Sequence, residues 1–469
     1  MQTDYDVAII GGGFSGTVLA CQLGRCCDRP LSVAILERSG VPGRGIAYGS
    51  PCLEHLLNVP SGGMSAFPEY PDHFVEWLGE HAPQFAQRER FVPRTLYGQY
   101  IGGLLRRTMA ETCLNVQWIE EEASSIGRQS ETFDIRMRSH LDIRARYVVL
   151  AIGSLPPSDP KPFAQMGRPL YAECAWSTDA LRALPDSGSI LLLGSGLTAI
   201  DQVLALHAQG YRGHIYMLSR RGLVPTVHRP QSSWDSAWTQ DLPKSARGLL
   251  AAVRAQVKEA ASKGCDWQSV VDSLRPNSQK IWQSLPPEEQ RRFLRHVRSY
   301  WDVHRHRSPP EIQVVMDELR AHRRISLLAG TVLACAIGMQ CVEVRYRARL
   351  TGAESTLHVD RVVNCTGPES NLRKLQNPLI QSLILQGLAR PDALFLGLDV
   401  AEDGSLVNAN GIPSKALFAI GPLRKGCLWE TTAVPEIRVQ AESLSKRLVF
   451  ELSGSLHQNT RCSDQPVRS

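Results

Sequence analysis

The 469-residue sequence lacks any uninterrupted apolar stretch near the ~20 residues that a membrane-spanning helix requires. Its opening residues, Met1-Gln2-Thr3-Asp4, lead directly into an apolar segment, without the basic region and cleavage site of a secretory signal. From these two absences we expect a cytoplasmic protein with no membrane association.

The sequence also lacks a Cys-x-x-Cys pair, although it contains 12 cysteines. The cysteines are scattered without the regular spacing of a disulfide framework, so we expect mainly buried, reduced thiols. The missing pair also argues against an enzyme that reduces disulfides through two neighbouring thiols.

The net charge of the sequence is small, at +6, because 52 basic residues are nearly balanced by 46 acidic ones. Most of this surplus lies between 291 and 324, where nine arginines face four acidic residues, Asp302, Glu311, Asp317 and Glu318. No signature of a nucleic-acid-binding module accompanies the cluster, so we do not expect a nucleic-acid partner.

The first informative motif that is present follows an apolar strand at 7–10. Gly11 permits a tight turn, Gly13 lets the backbone approach a pyrophosphate, and Gly16 lets the following helix pack closely. The phosphates would face the helix N-terminus, where Phe14 and Ser15 lie. One strand later Glu37 can accept hydrogen bonds from a ribose. Arg38, beside it, is a further candidate contact.

A second turn of the same type follows the apolar strand at 190–193. Its candidate residues are Gly194, Gly196 and Thr198, and Ala199 replaces the third glycine. The next strand, 215–219, ends in Arg220-Arg221 instead of an acid. An acid there favours the free 2′-hydroxyl of NAD, whereas arginine favours a 2′-phosphate, so we expect NADPH over NADH. The alternative is that these arginines are merely solvated.

The order of the two turns predicts which cofactor each one holds. In flavoproteins with two dinucleotides, the N-terminal turn binds FAD, an inserted domain binds the nicotinamide, and the C-terminal segment completes the flavin domain. Two more strand endings, at Gly153 and Gly367, fit crossovers between the domains. We therefore predict an α/β protein with two Rossmann-like doubly wound dinucleotide-binding domains and a helical insertion in the second.

The expected limits of these parts follow from the motifs and from the composition. Residues 231–324 are arginine-rich with helical periodicity and several tryptophans, which indicates the helical insertion. The expected parts are the first part of the FAD domain at 1–160, the NADPH domain at 161–345, the second part of the FAD domain at 346–453, and a disordered tail at 454–469.

Several longer motifs resemble the bacterial FAD-NAD(P)-binding flavoprotein family over essentially the full length. They are Gly43-Arg44-Gly45-Ile46-Ala47-Tyr48-Gly49, His55-Leu56-Leu57-Asn58-Val59-Pro60, Met64-Ser65-Ala66-Phe67-Pro68, Asp72-His73-Phe74-x-x-Trp77-Leu78, Pro93-Arg94-x-Leu96-Tyr97-Gly98-x-Tyr100 and the segment 429–438 beginning Trp429-Glu430-Thr431-Thr432-Ala433. Relatives of that family resemble N-hydroxylating and Baeyer–Villiger flavin monooxygenases.

The resemblance implies FAD at the first turn, with the 44–66 loop and the 429–438 segment near the isoalloxazine ring. The residues it adds as candidate contacts are Arg44, Asn58, Met64, Ser65, Thr432 and Ala433. The sequence departs from many relatives at Ile420-Gly421-Pro422, where an Asp usually follows the glycine. Gly421 remains a candidate contact. The Baeyer–Villiger fingerprint is degenerate at 167–176, so that chemistry is not predicted.

The block 295–307 has the most unusual local composition. His304 and His306 are spaced to lie together on a strand, but the neighbouring arginines oppose a metal cation, so no metal site is expected. One interpretation is recognition of an anionic or aromatic substrate by arginine. The favoured interpretation is an amphipathic helix whose aromatic residues pack inward while its arginines face water.

Together these patterns predict an FAD-dependent oxidoreductase reduced by NADPH, of which a monooxygenase is the favoured form. Its partners would be molecular oxygen and a small polar substrate with an amino or carboxylate group. An anionic substrate is among the options. An NADPH-driven flavin oxidoreductase with another electron acceptor and a flavin-binding regulatory or docking protein are the alternatives. No nucleophile-and-base arrangement stands out, so catalytic residues are not assigned. The oligomeric state stays open.

Overall fold

The computed structural model describes residues 4–462 apart from 165, 167–169, 183, 231–232, 236–237, 239–241 and 339–340, with side chains described as far as 453. Within these residues the chain forms two compact units. The first unit contains Met1–Gly49, Pro60–Ser154 and Ser370–Ser469, and the second contains Ser50–Val59 and Leu155–Glu369.

The strands and helices alternate along most of the chain. The N-terminal elements are β1 (Asp4–Ile10), α1 (Phe14–Cys26), β2 (Leu31–Leu36), α2 (Gly45–Tyr48), α3 (His73–His81), α4 (Arg94–Glu111), β3 (Leu114–Ile119), β4 (Ala123–Gln129), β5 (Thr132–Met137) and β6 (Asp142–Leu150). The central elements are β7 (Tyr171–Ala172), β8 (Ser189–Leu193), α5 (Leu197–Ala208), β9 (His214–Ser219), α6 (Ala246–Ser262), α7 (Trp267–Ser273), α8 (Ser278–Ser284), α9 (Pro287–His296), α10 (Arg298–Arg305), α11 (Pro310–Ala321), β10 (Ile325–Ile337), β11 (Val342–Ala348), β12 (Glu354–Val359) and β13 (Arg361–Asn364). The C-terminal elements are α12 (Pro378–Leu385), β14 (Ser405–Val407), β15 (Pro413–Ala419), α13 (Lys425–Leu428) and α14 (Val434–Cys462).

The sheet of the first unit has the strand order of a doubly wound nucleotide-binding fold. Strands β3, β2, β1, β6 and β15 are parallel neighbours in that order, and β14 is antiparallel to β15. Val7 of β1 lies opposite Val33 and Tyr147. The inner strands are nearly continuously apolar because both faces of a parallel sheet are covered. The β4–β5 hairpin is antiparallel to β6.

The second unit contains a seven-stranded sheet in the order β12-β11-β10-β9-β8-β13-β7. The strands from β10 to β7 are parallel neighbours, and β11 and β12 extend the sheet as antiparallel strands beyond β10. Its core combines apolar residues of β8 and β9 with those of α5 and α11, which cover one face of the sheet. These two sheets bear out the predicted α/β class with two Rossmann-like domains.

The predicted helical insertion corresponds to the chain between β9 and β10. All the elements that the structure describes between Ser219 and Ile325 are helices, from α6 to α11. Aromatic and aliphatic side chains of this insertion form a separate small core around Trp238, Val270 and Leu274.

The contact-defined units differ from the expected limits mainly at their second boundary. Strands β11, β12 and β13 pair within the sheet of the second unit, so the first unit resumes at Ser370 instead of 346. At the C-terminus α14 continues to Cys462, past the point where a disordered tail was expected to begin, and 463–469 lie outside the described residues. None of the described helices is long and apolar enough to cross a membrane.

Candidate functional site

The first glycine turn joins β1 to α1 and leaves room beside the helix N-terminus. Gly11 has φ +107°, and a Cβ there would lie 2.4 Å from the carbonyl oxygen of Ala151. Gly16 is equally constrained, since its Cβ would lie 1.9 Å from the Gly11 carbonyl oxygen. A Cβ at Gly13, by contrast, would meet only the Gly45 backbone, at 3.5 Å. The turn therefore needs two glycines for its own packing, while the third leaves open space.

The N-terminus of α1 has the features of an anion site. No side chain caps the helix at Gly13, and its first turn contains no acidic residue. The first amide groups of a helix carry partial positive charge, and an uncapped end leaves them available to a phosphate. The open space at Gly13 thus coincides with unused hydrogen-bond donors.

Glu37 lies at the carboxyl end of β2, beside this turn. Its two carboxylate oxygens accept hydrogen bonds from the amides of Gly12, at 2.9 Å, and Ser39, at 3.0 Å. A Cβ at Gly12 would clash with the rings of Trp118 and with Glu37 itself. The carboxylate is therefore fixed next to the turn, at the place where a ribose would lie. Arg38, the next residue, is exposed.

The 44–66 loop and the 429–438 segment meet in the first unit. Arg438 donates a hydrogen bond to the carbonyl oxygen of Ser65, at 2.9 Å. Ser65 is fully buried and its hydroxyl is bonded to the carbonyl oxygens of Phe67 and Tyr70, so its side chain serves the loop itself. Met64 is also buried, whereas Arg44 is exposed at the start of α2. The structure brings together the two segments that the resemblance placed near the flavin ring.

The C-terminal segment returns to the first turn through Gly421. Its φ is +76°, and a Cβ there would lie 2.9 Å from the hydroxyl of Ser15. Gln440 accepts a hydrogen bond from the Gly421 amide, and Thr431 donates one to the Gly421 carbonyl. Gln440 also donates to Thr431, which closes a buried ring of hydrogen bonds. This ring fixes the segment at Gly421, where the sequence departs from many relatives.

Trp429 has a strained backbone just before that ring. Its φ and ψ are 60° and −65°, and the Glu430 amide donates to the Leu428 carbonyl oxygen at 2.7 Å. This is a γ-turn with positive φ, a rare and strained conformation. Strain of this kind clusters at functional sites, which favours a binding role for the segment. Downstream, Thr432 is exposed and Ala433 partly buried.

Tyr97 is a buried residue of the 93–100 motif and was not among the expected site residues. Its hydroxyl makes no hydrogen bond within the described part of the chain, and its ring lies 6.0 Å from that of Phe14 and 4.7 Å from that of Tyr48. Burial, and then the neighbouring Tyr48 and Tyr100 hydroxyls, raise the pKa of Tyr97. An unpaired buried hydroxyl costs about 1–3 kcal/mol, so the side chain points to a bound partner near the first turn.

The second glycine turn has the same backbone features as the first. Gly194 has φ +125°, and its Cβ would lie 2.4 Å from the Cys365 carbonyl oxygen, just as Gly11 meets Ala151. The Gly194 amide donates to the carbonyl oxygen of Leu218 in the neighbouring strand β9, at 2.8 Å. Gly196 begins α5 without a side-chain cap, and a Cβ there would meet nothing within 4 Å.

The two turns differ at their third small residue and share their outlying glycines. Ala199 is fully buried where Gly16 stands in the first turn, so the second turn accommodates the methyl group that the first turn excludes. Gly153 and Gly367 end the strands beside the two turns with φ +68° and +84°, and a Cβ at either would meet no atom within 4 Å.

The end of β9 carries the arginine pair. Ser219 accepts a hydrogen bond from the Ser195 hydroxyl at 2.7 Å and one from the Gly222 amide at 3.0 Å, which ties the strand end to the glycine turn. Arg220 is exposed. Arg221 is partly buried and donates a hydrogen bond to the Tyr300 hydroxyl of α10 at 3.1 Å. Thr198, in the first turn of α5, is also partly buried.

Asn58 lies in the second unit together with the rest of Ser50–Val59. Its carbonyl oxygen is 3.0 Å from Nε2 of His228, which donates the hydrogen bond. Burial, and then the nearby Arg307 cation, lower the pKa of His228. No local pattern marks His228 as a site residue, because its role depends on a contact between positions 170 residues apart.

The 295–307 block forms helices, which corrects the strand-like spacing considered for its histidines. His304 lies in the last turn of α10, where its Nδ1 is 2.7 Å from the Tyr300 carbonyl oxygen. Arg307 does not face water: it is 2% exposed and forms a bidentate pair with Asp272. The pairing compensates its burial. Among the described residues no three His, Cys, Asp or Glu side chains cluster as metal ligands would.

Comparison with known proteins agrees with this geometry. Residues 8–155 match the family model described as FAD-NAD(P)-binding. None of the curated proteins matches the sequence. Among solved structures, the reduced form of ornithine hydroxylase from Pseudomonas aeruginosa has a TM-score of 0.68 at 17% identity, over 96% of this chain and 100% of that chain.

Two other solved structures extend the comparison. FAD-bound cadaverine monooxygenase of the desferrioxamine biosynthetic pathway, from Erwinia amylovora, has a TM-score of 0.67 at 14% identity over 95% of each chain. Thioredoxin reductase from T. acidophilum has a TM-score of 0.51 at 13% identity, over 96% of this chain and 100% of that chain. At such identities the likeness concerns the fold. Residues 8–155 therefore carry the FAD-NAD(P)-binding family match, and the chain as a whole has the Rossmann-type α/β fold of these flavin monooxygenases and reductases.

Proposed function

We propose that the protein is an FAD- and NADPH-dependent monooxygenase that acts on a small amine or amino acid in the cytoplasm. The observation that carries the proposal is the repetition of one glycine-turn geometry in two units, with open space at Gly13 and at Gly196. Two such turns suit two dinucleotides, and an electron donor beside an electron store is the minimum that this chemistry needs.

The residues around the first turn fit FAD. The uncapped α1 N-terminus and the space at Gly13 would take the pyrophosphate, and Glu37 would accept hydrogen bonds from the ribose. The unpaired Tyr97 hydroxyl and the strained turn at Trp429 would find their use in the same cofactor. Each of these features is costly or unexplained in the protein alone.

The residues around the second turn fit NADPH. Gly196 and the α5 N-terminus would take its pyrophosphate, while Arg220 and Arg221 would pair with the 2′-phosphate. Neither arginine has a carboxylate within ion-pair distance among the described residues, so both positive charges are available to an anion. Ser219 stands at the strand end where an acid would bind the ribose, and its hydroxyl already accepts hydrogen bonds from Ser195 and Gly222.

The cofactors would supply the redox chemistry, with NADPH as hydride donor and FAD as the group through which oxygen is used. The protein's part is to bind, orient and exclude water. Buried Ser65, Thr431 and Gln440 hold the two segments assigned to the flavin ring without offering acidic or basic groups of their own.

The class of substrate is proposed from the relatives together with the site. The ornithine hydroxylase and the cadaverine monooxygenase act, by their names, on amines. A reductase that passes electrons to a thiol pair, the other class represented among the similar folds, finds no Cys-x-x-Cys pair in this sequence. An amine hydroxylase therefore accounts for more of the observations than a disulfide reductase does.

The proposal is tested by product analysis with a panel of diamines and basic amino acids. The FAD-loaded protein is reduced with NADPH without oxygen, each amine is added, and oxygen is readmitted before mass spectrometry. We expect at least one amine to gain one oxygen atom, with no product when NADPH is omitted. Reduction by NADPH followed by reoxidation that yields no oxygenated product with any amine would exclude the monooxygenase and leave the oxidoreductase with another acceptor.

A further inference from the structure

Tyr300 of the helical insertion contacts Arg221, which follows the carboxyl end of β9. We propose that Tyr300 of α10 is a positioning residue for coenzyme choice, which holds the Arg221 guanidinium in the orientation that receives the 2′-phosphate of NADPH. This inference rests on the proposed function and deepens it, because it assigns a role in specificity to an insertion that the dinucleotide fold itself does not require.

Two contacts join Tyr300 to Arg221. The arginine donates a hydrogen bond to the phenol oxygen at 3.1 Å, and its guanidinium carbon lies 4.9 Å from the centre of the ring. Tyr300 is 45% exposed, so the pair contributes little to stability and the contact is better explained by orientation.

The backbone holds α10 where this contact can form. Both the amide and the hydroxyl of Thr226 donate to the carbonyl oxygen of Val303, each at 2.9 Å. The Ser308 amide donates to the Thr226 carbonyl, also at 2.9 Å. The segment that follows Arg221 is thus bonded to α10 one turn beyond Tyr300. The position of Tyr300 is therefore set by the insertion as a whole.

The electrostatics of the pair favour an anionic ligand over a structural role. Asp302, on the same helix, is paired with Arg298 at 3.5 Å and leaves Arg221 without a carboxylate partner. A tyrosine orients a guanidinium without neutralising it, whereas an acid in that place would compete with a phosphate. Arg221 thus keeps a full positive charge in a fixed direction, beside the exposed Arg220.

The inference is tested with two nucleotides that differ in the 2′-phosphate. Binding of 2′,5′-ADP and of 5′-AMP to the FAD-loaded protein is measured by calorimetry for wild type, Tyr300→Phe, Arg221→Ala and the double variant. Tyr300→Phe keeps the ring and removes the hydroxyl, and we expect about tenfold weaker binding of 2′,5′-ADP with unchanged binding of 5′-AMP. Tyr216→Phe, which removes a hydroxyl from β9, should change neither.

The double variant separates positioning from independent contact. If Tyr300 acts through Arg221, adding Tyr300→Phe to Arg221→Ala should weaken 2′,5′-ADP much less than adding it to wild type. Additive losses, or a Tyr300→Phe variant that binds 2′,5′-ADP as wild type does, would overturn the inference while leaving the proposed function intact. If Arg221→Ala weakens both nucleotides equally, the NADPH assignment itself is wrong.

Discussion

Two neighbouring glycines of the second turn should respond to the same substitution in opposite ways. Gly194 has φ +125° and its Cβ would lie 2.4 Å from a backbone oxygen, whereas Gly196 has φ −83° and open space. Gly194→Ala should therefore damage the fold, and Gly196→Ala should damage only the binding of NADPH.

The magnitudes follow from the backbone. A side chain at a glycine-only φ costs about 1–3 kcal/mol, and for a unit of this size each kcal/mol lowers the unfolding midpoint by about 2–4 °C. Gly194→Ala should thus lower that midpoint by about 2–12 °C, with the carbonyl clash pushing it to the upper end. Gly196→Ala loses roughly 0.5 kcal/mol at the helix cap and regains a similar amount from the stiffer unfolded chain, so its stability should be unchanged.

Binding should show the reverse order. A methyl group at Gly196 would fill the space reserved for the pyrophosphate, and forcing such overlap costs about 1–3 kcal/mol, or roughly 5- to 150-fold in affinity. Thermal unfolding without ligand and calorimetric titration with NADPH measure the two effects separately. A folded Gly196→Ala variant that binds NADPH like wild type would refute the assignment of this turn. A Gly194→Ala variant as stable as wild type would refute the geometry.

Three further outcomes follow from the same structure. Changing Arg220 and Arg221 together to Ala should raise KM for NADPH at least tenfold while leaving KM for NADH nearly unchanged, and equal effects would contradict the 2′-phosphate site. Because burial lowers the pKa of His228, the folded state binds fewer protons than the unfolded chain below neutrality, so stability should fall between about pH 7 and pH 5. In His228→Gln, the free energy of unfolding measured by urea titration should fall less between these pH values. An unchanged dependence of this free energy on pH would contradict the prediction. Arg307→Met should destabilise the second unit by about 3 kcal/mol in urea unfolding, whereas Arg295→Met, at an exposed position, should change it by less than about 0.5 kcal/mol.

Local signals were enough to predict the two nucleotide folds. Each glycine turn follows a short, fully apolar strand and opens a helix, and that pattern places the phosphate end of a dinucleotide. The length of β10 follows from its two neighbours, since 325–329 pair with β9 and 330–337 pair with β11.

Two hairpin strands escaped prediction. Strands β4 and β12 pair with their neighbours β5 and β11 and have mainly polar sequences, so nothing local distinguishes them from loops. The second part of the FAD domain was expected from 346, but the first unit resumes at Ser370, after the strand ending at Gly367. The pairing of β13 with β8, which assigns β13 to the second unit, cannot be read from the local sequence.

The candidate site shows the same division. Motif residues such as Ser65 and Thr431 could be named from the sequence, but their hydrogen bonds serve the loops they belong to. Tyr97 and Tyr300 become informative only through what surrounds them: an unpaired buried hydroxyl in one case, and an arginine from another element in the other. Both residues lie in segments that the sequence analysis had already singled out, but no local pattern distinguished them from their neighbours.

The proposed chemistry requires that NADPH reduces FAD within this chain. The visible absorbance of the FAD-loaded protein during anaerobic mixing with NADPH tests this requirement. We expect NADPH to bleach the flavin absorbance, NADH to act more weakly, and Gly196→Ala to slow the bleaching at limiting NADPH. Bound FAD whose absorbance does not change with either coenzyme would contradict the proposal.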